Sequence, residues 1–334
     1  MNEAALLAAA KRGDEQAFAR VVDPYRRELQ AHCYRMLGSA HDAEDALQDA
    51  MLDAWRGLAS FQGRSSLRSW LYTVTTNACL KVIRRRPKRV LPVDYGPPAD
   101  PHDAHREPLA ESAWIEPYQD EQRRYEERET VELAFVAALQ HLPARQRAVL
   151  ILRDVLGFSA RETAEILDAR PPAIDSALQR AHRTVDERLP EQSQQATLSS
   201  LDDERLRGLV DGYINAWESA DVDALVTLLA EDAALAMPPQ PEWYRGREAV
   251  GAFLAARPMS GRVRWRVVPT RANGQLAFAH YRFDADDGTF RLGELCVLML
   301  EGDRIEEITA FREPAAFASF DLPETLGGDQ RHKA

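Results

Sequence analysis

The chain has 334 residues, too many for one helical domain, and its 28% charged and 45% hydrophobic residues describe a globular protein with material for two or three separate cores. A formal net charge of -11 excludes a protein that coats nucleic acid indiscriminately, so any DNA contact must come from local basic patches. No apolar run approaches membrane-spanning length, and Cys33, Cys79 and Cys296 form no CxxC pair; the expectation is buried small residues in a reducing cytoplasm, with no metal site and no cofactor.

The apolar stretch Ala4 to Ala10 is too short for a secretory core and runs at once into Lys11-Arg12. Residues 1–89 are dense in helix formers, with Leu47, Met51, Trp55 and Leu58 at helical spacing in DAEDALQDAMLDAWRGL, and read as a compact helical domain. Next, FQGRSSLRSWLYTVTTNACLKVIRRRPKR joins a short loop, Gln62 to Ser66, to a helix with Leu67, Trp70, Leu71, Val74 and Leu80 at helical spacing. Its end is cationic: Lys81, Arg84, Arg85, Arg86, Lys88 and Arg89 put six cations into nine residues with no acid. Opening duplex DNA requires groups that compete with stacking and pairing beside cations that hold phosphates. Arg68, Thr73 and Asn77 could supply hydrogen bonds, and Lys81 and Arg84 to Arg86 the grip. Trp70 fits a core position as well as a stacking platform, and the basic run also fits a solubilising helix end.

Residues 90–125 carry Pro92, Pro97, Pro98, Pro101, Pro108 and Pro117 and read as an irregular linker. From Asp94 to Glu129 there are 11 acids against 4 arginines, which suits a solvated tether or a segment that repels DNA or covers a basic surface. A helix from about Tyr118 to Gln140 leads into LPARQRAVLILRDVLGFSARETAEILDARPPAIDSALQRAHRTVDERL, residues 142–189. There Val149, Leu150, Leu152 and Val155 suit one helix, Gly157 ends it, and Ser159 caps a second carrying Ala164, Ile166 and Leu167. After Pro171-Pro172, Ala173 to Leu189 can be the recognition helix of a helix-turn-helix, with Ser176, Gln179, Arg180 and Arg183 outward. An ordinary helical hairpin with solvated arginines is the competing reading of that segment alone. EQSQQATLSS, 191–200, reads as a second linker.

Beyond residue 200, Asp202 can cap a helix to about Glu218 and Asp221 another through DVDALVTLLA. Strand-like segments at 262–270, 275–283, 290–300 and 304–311 are separated by Asn273-Gly274, Asp287-Gly288 and Gly302-Asp303, so residues 201–328 predict an α+β domain with an antiparallel meander. Tyr213, Trp217, Trp243, Tyr244, His280, Arg282 and Arg312 supply aromatic and polar groups for a candidate pocket. His280 and Arg282 share strand parity, but no nucleophile or carboxylate pair can be assigned, so no catalytic residue is named.

With these residues in view, positions 10–190 resemble an extracytoplasmic-function sigma factor of the sigma-70 family. AHCYRMLGSAHDAEDALQDAMLDAWRGLASFQGRSSLRSWLYTVTTNACLKVIRRR looks like the family's region 2 helical bundle (1–89 here), and the 126–190 segment like its region 4 helix-turn-helix. The resemblance implies that Asp45, Gln48, Asp49, Met51 and Trp55 lie in a helix docking on the clamp coiled coil of RNA polymerase core, with region 4 meeting the flap. It implies that the loop containing Gln62, Arg64 and Ser66 receives a flipped −10 base, and that Arg68, Trp70, Thr73, Asn77, Lys81, Arg84, Arg85 and Arg86 act at the −10 element. Ser176, Gln179, Arg180 and Arg183 would face the −35 major groove. Arg170-Pro171-Pro172 departs from the small or polar residues that usually open the recognition helix, which puts the bases read in question.

The tail, with PPQPEWYRGREAV at 238–250, resembles a SnoaL-like cone domain, cystatin-like in architecture, and the whole resembles sigma subfamilies with such extensions, including the subfamily G type. The implied function is an alternative sigma factor, cytoplasmic and not an enzyme, that binds core polymerase and promoter DNA and is modulated by its tail, which takes a small ligand or none. The alternatives are a one-component DNA-binding regulator sensing a metabolite in the tail, and a SnoaL-like enzyme with an accessory DNA-binding half. The first leaves the 42–89 segment unexplained.

Overall fold

A computed structural model of the protein describes residues 3–103, 107–110, 113–119 and 131–327. The chain forms two compact units, Met1–Arg89 with Ala134–Leu189, and Val90–Leu133 with Pro190–Ala334. Thus the two basic helical segments that the sequence separates by some forty residues fold into one body.

In the first unit, helices α1 (Glu3–Lys11) and α2 (Glu15–Val22) precede the bundle of α3 (Arg26–Leu37), α4 (Ala40–Gly57) and α5 (Leu67–Ile83). Helix α3 is the interior member: Leu29 and every residue from Ala31 to Leu37 are buried. Ser39 and Ser66 cap α4 and α5, accepting from the backbone N–H of Asp42 and Ser69, each at 3.0 Å. A one-turn α6 (Pro92–Tyr95) belongs to the second unit. Then α7 (Leu133–Gln140) leads to α8 (Ala144–Leu150), which continues as a π-helical turn, Ile151–Val155. Gly157 (φ +71°) ends that helix, and a capping box between Ser159 and Glu162 starts α9 (Ala160–Ile166). Ser159 holds the Glu162 carboxyl below its ordinary range. The helix expected to be the recognition helix, α10, is Pro171–Asp186, its two prolines in the first turn where no N–H is needed. Of the expected helix over 118–140, residues 120–130 lie outside the described residues, and the described part starts at Leu133.

The joint between the early and late helices is built on Arg147, which is 5% exposed. Its guanidinium donates to the Met36 carbonyl and the Gln140 side-chain oxygen, and to the carbonyls of Gln140 at 3.2 Å and Leu142 at 3.3 Å. Gln140 Nε2 donates in turn to the Arg35 carbonyl at 3.2 Å. Arg35 and Met36 lie in the last turn of α3, whose carbonyls have no intrahelical partner, so residues of α7 and α8 complete a helix end that α3 cannot satisfy itself. Gly38 follows with φ +70°, and a Cβ there would stand 3.1 Å from the Gln140 side chain. Burial pushes the Arg147 pKa down to about 10. Around it, Tyr72 of α5 packs edge-to-face on Phe158 at 5.1 Å, and the Arg68 guanidinium lies over Phe158 at 4.6 Å.

The second unit is a curved sheet with helices α12 (Asp203–Ser219), α13 (Val222–Leu228) and α14 (Arg247–Ala256). Among the described residues seven strands run in the order β2 (Trp243–Arg245), β1 (Leu229–Ala236), β6 (Arg304–Phe311), β5 (Thr289–Glu301), β4 (Gln275–Asp284) and β3 (Trp265–Ala272), with β7 (Thr325–Leu326) on β5. Strands β3 to β6 form the expected meander, and Asn273-Gly274, both at positive φ, makes its first turn. Asp202 and Asp221 cap α12 and α13. The expected second helix is cut short: Leu229 and Ala230 leave α13 and start β1, because β1 finds a parallel partner in β6. Strands β1 and β2 and helix α14 are additions to the pattern read from the sequence.

Two segments expected as linkers are held in place. In 90–125, Ala99 N–H donates to the Trp243 carbonyl at 2.8 Å, Trp114 Nε1 to the Pro239 carbonyl at 3.1 Å and Trp243 Nε1 to the Gly96 carbonyl at 2.7 Å. Leu91, Trp114, Ile115 and Tyr118 are buried, so the few apolar residues among the prolines anchor the described part of the segment. Residues 191–200 contain helix α11 (Gln194–Ser200). Gln194 and Gln195 are buried because backbone groups satisfy their amides: Gln194 Nε2 donates to the Leu300 carbonyl at 2.9 Å and its Oε1 accepts from Leu300 N–H at 2.7 Å, while Gln195 Nε2 donates to the Gly274 carbonyl. The Glu132 carboxylate accepts from the backbone N–H of Gln194 at 3.0 Å and of Gln195 at 2.9 Å. A Ser/Gln composition that suits a tether also suits this amide-to-backbone pairing.

Replacing Arg147 by Met should lower the unfolding free energy by about 3 kcal/mol in urea titration, since several buried carbonyls lose their donor. Burial, with Arg35 beside it, lowers the His32 pKa to about 3, and its Nε2 meets Thr76 Oγ1 at 2.9 Å. The ring protonates in the unfolded chain near 6.5 but not in the folded one, so the unfolded state binds more protons between those limits and stability falls as pH falls. A loss of about 1 kcal/mol is expected between pH 7 and 5.5, and His32→Gln should show a flatter profile.

Candidate nucleic-acid interface

Recognition helix α10 buries Ile174, Ala177, Ala181 and Val185, a spacing that turns one stripe to the core. Ser176, Gln179, Arg180 and Arg183 are all exposed on the opposite side, together with Asp175. The two prolines leave Arg170 as an N-cap without a side-chain cap bond. Ser176 Oγ bonds back to the Pro172 carbonyl at 3.1 Å, so Gln179, Arg180 and Arg183 are the long polar side chains this face offers.

Helix α5 has two faces. Leu67, Leu71, Tyr72, Thr75, Thr76 and Cys79 are buried, whereas Trp70, Thr73, Asn77 and Lys81 follow one another at spacings of three and four along a half-open to open stripe. The helix contains no acidic residue. Trp70 leans on Phe61, ring centroids 5.2 Å apart, and joins a small cluster around Leu58, so one side of its ring is core and the other accessible. Thr73 Oγ1 donates to the Ser69 carbonyl at 3.0 Å. Ahead of the helix, Gln62 and Arg64 are exposed and bonded to each other, while Ser66 serves as the cap.

The cations divide by environment. Arg68 is drawn inward, bonded to Glu28 at 3.1 Å and stacked on Tyr72 and Phe158. Arg86 and Arg89 both pair with Asp42, a carboxylate only 2% exposed. Lys81, Arg84 and Arg85 are exposed and make no ion pair among the described residues. Thus of the basic cluster, some members hold the bundle and others face solvent.

On α4, Asp45, Gln48 and Asp49 are exposed, and with them Leu52, an apolar side chain 53% exposed at the next turn. Met51 is 8% exposed and lies in the core, and Trp55 packs edge-to-face on Phe18 at 5.1 Å. Leu52 was missed by the sequence reading because it falls off the apolar stripe; an apolar residue on an otherwise polar face was the available signal.

In the second unit the candidate pocket residues separate. Tyr213, Trp217 and His280 meet inside the cone: Tyr213 OH lies 3.2 Å from His280 Nε2, and the Trp217 and His280 rings are 4.4 Å apart. Burial drives the Tyr213 hydroxyl well above its ordinary pKa. Glu294 and Cys296, not singled out in the sequence, join them. Tyr244 stacks on Phe253 at 4.5 Å, Trp243 is bonded to Gly96, and Arg282 and Arg312 are exposed at the strand ends. A groove of about 550 Å³ bordered by Leu206, Val210, Pro269, Leu276 and Phe320 includes none of the seven candidates.

Residues 21–89 match the family description Sigma-70 region 2, residues 132–185 match Sigma-70, region 4, and residues 210–308 match SnoaL-like domain. The chain is 40% identical over 325 residues to the ECF RNA polymerase sigma factor SigG of Mycobacterium tuberculosis, covering 95% of this chain and 86% of that protein. It is 32% identical over 180 residues to SigM of the same species, covering 54% of this chain and 81% of that protein. Among solved structures, the Mycobacterium tuberculosis extracytoplasmic function sigma factor SigJ covers 90% of this chain and 100% of its own with a TM-score of 0.56, at 19% identity, a likeness of fold.

The division of the cations is testable by unfolding. Asp42→Ala removes the carboxylate shared by Arg86 and Arg89 and should cost about 3 kcal/mol. Arg85→Ala should change stability by less than about 0.5 kcal/mol.

Proposed function

The chain belongs to the extracytoplasmic-function family of RNA polymerase sigma factors, and from that membership we propose that it binds core polymerase and reads promoter DNA with two surfaces of its first unit. Asp45, Gln48, Asp49 and Leu52 on α4 form the polymerase-facing surface. The open stripe of α5, with the Gln62–Ser66 loop ahead of it and Lys81, Arg84 and Arg85 behind, acts at the −10 element. Gln179, Arg180 and Arg183 of α10 read the −35 major groove, where bidentate Arg and Gln contacts distinguish bases. The protein works in the cytoplasm, needs no cofactor for this task and catalyses no step itself. The SnoaL-like domain modulates initiation; the aromatic wall around fully buried His280 argues against substrate turnover there.

The observation that carries the reading is that both surfaces are exposed on one body whose two halves are locked through Arg147, Phe158 and Arg68. The two promoter elements are about 25 base pairs apart, or about 85 Å along B-DNA. A folded unit of this size has a radius of gyration of about 15 Å and cannot touch both at once. The unit is therefore a closed form, and docking on polymerase separates the α5 and α10 surfaces, lifting Phe158 off Arg68 while the Arg68–Glu28 pair within the early helices persists. Fluorophores at positions 48 and 179 should move apart when core polymerase is added, and an unchanged distance would contradict the opening.

Transcription reconstituted with core enzyme tests the assignments. Arg180→Ala should cost about 1–3 kcal/mol on a cognate promoter and relax selection at one −35 position. Lys81→Ala should weaken binding on every promoter and lower the salt slope by about one unit.

A further inference from the structure

The interior of the cone carries a cluster that promoter recognition does not use. His280 on β4 and Glu294 on β5 are directly paired across the strands, and Cys296 lies two residues beyond Glu294, so the two-residue period of a strand brings its side chain to the same face. The ligating atoms of the three all lie within 4.8 Å of one another. His280 is wholly buried, and its Nδ1 makes no hydrogen bond among the described residues, with Glu294 Oε1 3.4 Å away but off the line of the N–H. Cys296 Sγ is 3.9 Å from the same oxygen.

We propose that this cluster is a metal site in which His280 Nδ1, Glu294 Oε1 and Cys296 Sγ ligate one divalent ion of the zinc type. An imidazole, a thiolate and a carboxylate form a donor set suited to such an ion. Around a tetrahedral zinc the nitrogen–oxygen edge is about 3.4 Å and the sulfur–oxygen edge about 3.6 Å. The observed separations of 3.4 and 3.9 Å are close to both.

The surroundings are those of a supported site. Tyr213 OH, 3.2 Å from His280 Nε2, can accept that N–H and so present the Nδ1 lone pair inward, the role outer-shell partners play for ligating histidines. Arg312 Nε, on a half-exposed side chain, lies 3.9 Å from the other Glu294 oxygen. Trp217 and Trp265 close over the imidazole at 4.4 and 6.1 Å between ring centroids. Thiolate and carboxylate together neutralise the ion's two charges, which a buried cation requires. Three protein ligands leave a fourth position open to water or a small anion.

The test uses the full-length chain, stripped with a chelator and then titrated with Zn²⁺ or Co²⁺ alone. Expected are one tightly held ion per chain, a rise in melting temperature, and a thiolate-to-cobalt charge-transfer band. Cys296→Ala should abolish the band and weaken binding by about 100-fold or more, as loss of a direct ligand should exceed the 10–100-fold typical of outer-shell changes. His280→Gln should weaken it comparably, and the Cys33→Ala/Cys79→Ala double variant should keep both band and stoichiometry. A folded wild-type chain that shows no band overturns the proposal without reference to any variant. So does a band that survives Cys296→Ala or disappears with Cys33 and Cys79.

Discussion

A buried guanidinium with no carboxylate beside it among the described residues is the constraint on which the first unit turns. Arg147 is solvated by carbonyls that two helices leave open at their C-terminal ends, one in the early bundle and one in the late segment. The late segment supplies three of its acceptors, the Gln140 side chain and the Gln140 and Leu142 carbonyls, and α3 the fourth, while α3 alone would leave its Arg35 and Met36 carbonyls without these donors. Their association is therefore specific in register, which nonpolar packing alone would not ensure. The same joint seats Phe158 over the half-buried Arg68 guanidinium and, in this form, fixes the distance between the α5 and α10 surfaces.

What could be read from the sequence was what local chemistry decides. Ser159, Asp202 and Asp221 act as caps because the hydroxyl or carboxylate reaches the backbone two or three residues on, whatever the rest of the chain does. Asn273-Gly274 turns the meander for the same kind of reason, and the outward residues of α10 follow from its apolar stripe. The recognition helix begins two residues earlier than expected, because the prolines belong to its first turn.

What could not be read depended on partners distant in sequence. Strand β1 has little alternation and exists because β6 lies parallel to it. Gln194 and Gln195 look like linker residues until Leu300 and Gly274 are beside them. The split of the basic cluster into bundle-holding and solvent-facing members is invisible in a run of like charges; only the position of Asp42, forty-odd residues earlier, separates Arg86 and Arg89 from Arg84 and Arg85. Cys296 was isolated by spacing, since ligands on adjacent strands converge through register and leave no short motif.

The Glu132 carboxylate accepts from the first two N–H groups of α11, placing side by side the point where residues 134–189 leave the second unit and the point where the chain returns. That segment is thus an insertion in the chain of the second unit, with its points of exit and return tied to one carboxylate. Two strands of chain that could have wandered separately are fastened at a common root, and loss of that one side chain would untie them without altering any residue proposed to touch DNA.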